Sequence, residues 1–74
     1  MQREYRFKLY FKGVLIKEFN KVLLTTKEIL IIVKQAVKDY IKKTSANIKD
    51  ILVNVIPIQD YDYQIDINLA DDYN

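Results

Sequence analysis

Seventy-four residues with a net charge of +2, half of them hydrophobic and 30% charged, describe one small folded domain and not a disordered segment. The chain has neither Cys nor His, which excludes disulfide support, the usual zinc sites and an imidazole acid–base catalyst. Its core lies near the lower size limit and must stand alone or be completed by a partner. The modest net charge hides an asymmetry. Residues 1–43 hold 11 of the 12 Lys/Arg and 4 of the 10 Asp/Glu, a net +7, whereas residues 44–74 hold 1 and 6, a net −5. Such a polarised chain can attract itself or present an anion-binding face.

Residues 4–11 alternate strictly, with Tyr5, Phe7, Leu9 and Phe11 on one face and Glu4, Arg6, Lys8 and Tyr10 on the other. That is the period of a half-buried strand. Lys12-Gly13 follows, with the only glycine of the chain, and residues 14–20 return as a second strand. So short a connection predicts an antiparallel hairpin. A plain two-residue loop, however, would set Glu18 opposite Phe7, which leaves the register open.

Thr25-Thr26-Lys27-Glu28 fits a capping box, with Thr25 as N-cap and Glu28 at the third helical position. Leu24 and Ile29 stand where a hydrophobic staple would form. At 100° per residue, Ile29, Ile32, Val33, Ala36, Val37, Tyr40 and Ile41 fall on one side of a helix over 26–43, with the lysines opposite. Lys42 and Lys43 suit the negative end of its dipole.

Residues 49–57 read as a third strand with a nearly continuous apolar run, and residues 61–69 as a fourth with Asp62, Gln64, Asp66 and Asn68 on a wet face. Residues 70–74 form an acidic tail. The expected fold is α+β, of ββαββ order: a two-layer domain whose four-stranded sheet carries one helix across one face. With the first and fourth strands side by side and parallel at the centre, this order is similar to the β-grasp fold. In length and order it resembles the small bacterial immunoglobulin-binding domains, over about residues 4–69. The resemblance is one of topology, matches no family motif and implies no functional residue. An all-antiparallel sheet in another strand order is the alternative.

No catalytic, cofactor or metal site is expected. Ser45 is the only serine and has no base nearby, and Asp62 and Asp66 on one strand lie about 13 Å apart. Asp60, Asp62, Asp71 and Asp72 lack the spacing of a calcium loop, and a single glycine rules out a phosphate-cradling loop. No apolar run reaches the roughly 18 residues of a membrane span, and Met1 leads into Arg3, Glu4 and Arg6, unlike a secretory signal. Cytoplasmic residence is the expectation.

Three binding readings follow. The first is a non-enzymatic protein-binding domain that self-associates as a homo-oligomer or docks on a partner protein. It would use Ile51, Val53, Val55, Ile56 and Ile58 on a third strand at the sheet edge, or the outer sheet face, because the run Ile51–Ile58 is apolar on both faces. The second is a nucleic-acid-binding surface of Arg6, Lys8, Tyr10, Lys12 and Lys17, with Lys21 close by. Asp62 and Asp66 on a neighbouring fourth strand would neutralise it. The third is an inhibitor from a phage or mobile element whose acidic half engages a basic protein surface.

Overall fold

The computed structural model describes residues 3–59 and 64–72, with no account of the side chains of 71 and 72. Strands β1 (Arg3–Phe11), β2 (Val14–Leu23), β3 (Ile51–Pro57) and β4 (Ile65–Ile67) form one sheet, and helix α1 (Lys27–Thr44) lies between β2 and β3 in the chain. The α+β fold with one helix across a four-stranded sheet is as expected from the residue pattern. The spatial order is β2-β1-β3-β4 and every neighbouring pair is antiparallel.

The strand order corrects the β-grasp resemblance. The first and fourth strands are not neighbours, because β3 lies between them, paired with β1 from Tyr5↔Pro57 to Phe11↔Ile51. The composition of β3 supplies the reason. Ile51, Val53, Val55 and Pro57 are buried against the helix, and the alternate residues are half-covered apart from Leu52. A two-sided apolar strand is best satisfied with a neighbour on each side. Pro57 does no harm there: it sits at the strand end, beyond the stretch paired with β4.

The hairpin resolves the register conflict with one extra residue. Lys12 and Gly13 take φ of 49° and 81°, both left-handed, as a two-residue turn of the I′ kind requires. The ladder then pairs Tyr10 with Leu15 but Leu9 with Lys17, leaving Ile16 as a bulge. The slip of one position sends every later side chain of β2 to the opposite face. Phe19 thereby faces Phe7, their rings stacked at 5.1 Å, and Glu18 moves to the outer face opposite Lys8.

The helix buries Ile29, Val33, Ala36 and Val37 against Tyr5, Phe7, Leu9 and the inner side chains of β3. Its start is half of a capping box. Glu28 Oε2 accepts from the backbone N–H of Leu24 at 2.8 Å and of Thr25 at 3.3 Å, but the assigned N-cap is Thr26, which makes no side-chain cap bond. Leu24 remains exposed, so its side chain is not sealed into a staple. At the other end Ser45 turns left-handed, with φ 58°, and its N–H bonds Ile41 O at 2.8 Å.

Among the described residues only Ile65–Ile67 pair with β3, at Val53–Val55, and the chain then tightens into a 3-10 turn at Leu69–Asp72, so the fourth strand ends two residues before the expected Leu69. Leu69 and Ala70 are buried in that turn, so the chain leaves the core later than the expected tail at 70. Tyr61 and Tyr63, assigned to this strand by their alternation, lie outside the described residues, as do Asp60 and Asp62.

Candidate functional site

Placing β3 inside the sheet changes which surfaces are available. Of the five residues expected at an interface, Ile51, Val53 and Val55 are core, none more than 2% exposed, because their side chains point at the helix. They cannot meet a partner in this fold. Ile56 and Ile58 lie half-buried on the outer sheet face, where Ile56 stands opposite Arg6.

That outer face is a grid of cross-strand rows. Leu15, Tyr10 and Leu52 make one row, apolar across three strands. Beside it run Glu18, Lys8, Asn54 and Asp66, then Asn20, Arg6 and Ile56. Arg6, Lys8 and Tyr10 thus share a face, as expected, but Lys12 sits in the turn and Lys17 on the helix side, opposite Leu9. The neutralising carboxylate comes from β2, with Arg6 Nε 3.6 Å from Glu18 Oε1. Asp66, two strands from Lys8, instead accepts from Asn54 Nδ2 and, at 2.7 Å, from Gln64 Nε2. Among the described residues of this face, the cations Arg6 and Lys8 stand beside Glu4, Glu18 and Asp66, which leaves no excess of positive charge among them.

The feature that the residue pattern did not single out is the free edge of β2. Ladder phase follows from two bonds: Ile58 N–H to Glu4 O at 3.0 Å and Lys12 N–H to Asp50 O at 2.9 Å. Even-numbered residues of β1 therefore bond β3 and odd-numbered ones bond β2. Past the bulge, Lys17, Phe19, Lys21 and Leu23 return those bonds, which leaves the backbone groups of Glu18, Asn20 and Val22 directed away from the sheet. Nothing among the described residues pairs with them.

On its helix side the same strand presents Lys17, Phe19 and Lys21. Both lysines are exposed, and Phe19 is half-buried between them with Lys17 Nζ 5.4 Å from its ring centre. The helix sits closest to β3 and leaves a shallow groove of about 300 Å³ along β2. Lys17, Lys21, Ile31, Ile32, Ala36 and Asp39 line it. Ile31 is 67% exposed there, the most exposed large apolar side chain of the described residues. Asp39 Oδ1 accepts from Gln35 Nε2 at 3.0 Å, and neither lysine forms an ion pair among the described residues.

A second cavity of about 300 Å³ opens at the helix start between Arg3, Tyr5, Ile29 and Gln59. Gln59 is among its lining residues, and residues 60–63 that follow it lie outside the described residues. Among the described residues no three acidic side chains gather as metal ligands, and no helix is long and apolar enough to cross a membrane. No family model, curated protein or solved structure matches this chain.

Proposed function

We propose that this protein is a binding domain, without catalytic chemistry of its own, that takes up an extended segment of another protein chain along the free edge of β2. The observation that carries the reading is the edge itself. Ten residues of strand, free of proline, end the sheet of described residues, and none of these pairs with the backbone groups of Glu18, Asn20 and Val22. Such an edge is a template for strand addition, in which main-chain bonds supply affinity and alternate side chains supply selectivity. Each added bond contributes about 0.5–1.5 kcal/mol net. Three residues, each donating and accepting once, therefore suffice for a reversible complex. The lack of His and Cys and the single serine fit binding better than catalysis.

Asn20→Pro tests this reading. It removes one outward N–H and crowds an incoming strand, while leaving the backbone bonds to β1 in place and giving up only the bond that Asn20 Oδ1 accepts from Arg6 Nε at 3.4 Å. Complexes that the wild-type protein forms in extracts of its own host, resolved by size and checked against a folded Asn20→Pro protein, are expected to disappear with the variant. Complexes that survive unchanged would contradict strand addition at β2.

A further inference from the structure

We infer that the β2 edge is selective for an acidic partner strand, one that carries a carboxylate, an apolar residue and a second carboxylate at alternate positions. The inference rests on the edge reading above and names the chemistry of its partner. Lys17, Phe19 and Lys21 share the helix side of the edge, as a cation, an aromatic ring and a cation. Cross-strand neighbours on one face lie about 4.5–5.5 Å apart, so a strand added here places its own alternate residues opposite these three.

The two lysines are four residues apart, about 13 Å along the strand. A single small anion cannot serve both; an extended chain with two carboxylates can. The apolar residue between those carboxylates would meet Phe19 beneath the groove wall formed by Ile31, Ile32 and Ala36. It would cover part of Ile31, the most exposed large apolar side chain among the described residues.

The same side chains disfavour a second copy of this chain. Two β2 edges joined about a two-fold axis would gather Lys17 and Lys21 of both copies on one side of the seam, where like charges are destabilising. Lysines on a sheet edge are a usual guard against self-pairing. They repel a copy and leave an acidic strand welcome.

The test uses the full chain, two short fluorescent peptides and light scattering. One peptide alternates Glu, Thr, Val, Thr, Glu; the other carries Lys in place of each Glu. The acidic peptide is expected to bind at least about tenfold more tightly than the basic one, and its affinity to fall steeply with salt. The double variant Lys17→Glu/Lys21→Glu, checked for an unchanged circular dichroism spectrum, should reverse the preference. Equal binding of both peptides, lost in Asn20→Pro, would overturn the acidic partner and leave the edge reading standing. Binding indifferent to Asn20→Pro would overturn both. Absence of binding by either peptide would overturn the acidic partner. A dimer in light scattering that Asn20→Pro converts to monomer would overturn it in favour of a second copy.

Discussion

β2 and β3 invert what their side chains suggest in isolation. The third strand, apolar on both faces, has the composition of an exposed adhesive edge, yet it lies inside the sheet with β1 and β4 on either side. The second strand, with Lys17, Glu18, Asn20 and Lys21 among its apolar residues, is one that the described residues leave uncovered on its outer side. The difference teaches that continuous apolarity marks a strand that is covered, while interspersed charge marks one that must live beside water. Binding is then expected where the backbone is unpaired, not where the side chains are greasiest.

The largest expected effect comes from undoing the register that gives β2 its faces. Inserting one alanine between Lys17 and Glu18, beyond the bulge, sets Glu18 opposite Phe7 and turns Phe19 outward. Cooperative thermal unfolding, followed by circular dichroism, should be lost. An insertion variant that melts like the wild type would show that the faces of β2 do not depend on this register.

Next, Val55→Lys sets a charge into a fully buried position of β3. It should cost about 3–5 kcal/mol in urea unfolding, a large part of the stability of so small a domain. A stable protein with altered association would instead mean that Val55 faces outward. Gly13→Ala strains the turn that joins β1 to β2 at φ 81° and should cost about 1–2 kcal/mol in the same measurement. The smallest effect belongs to the edge. Lys21→Glu should leave stability within about 0.5 kcal/mol while weakening acidic-peptide binding. A substantial loss of stability would place Lys21 within the packing of the fold.

Much of the fold was legible because it is written in local periodicity. Tyr5, Phe7 and Leu9 declare the buried face of β1, and Ile29, Val33, Ala36 and Val37 that of the helix. Glu28 announces the helix start, although it serves the N–H groups of Leu24 and Thr25 without a reciprocal bond from a threonine. Strand order was not legible, because pairing of β1 with β3 joins residues 40 to 52 positions apart and leaves no mark in either segment. The candidate edge was hidden for the same reason. Lys17 and Lys21 read as members of a basic patch until their strand is known to end the sheet. The bulge, by contrast, was recoverable in principle. A two-residue loop that turns Glu18 inward is a contradiction, and one extra residue is its simplest resolution.

Amide hydrogen exchange, resolved residue by residue, tests the central claim most directly. With β2 outermost and β3 inside, protection should alternate along β2: Phe19, Lys21 and Leu23 slow, Glu18, Asn20 and Val22 fast. Along β3 it should be continuous from Leu52 through Ile56. Continuous protection along β2 with alternation along β3 would place β3 at the edge and contradict the account.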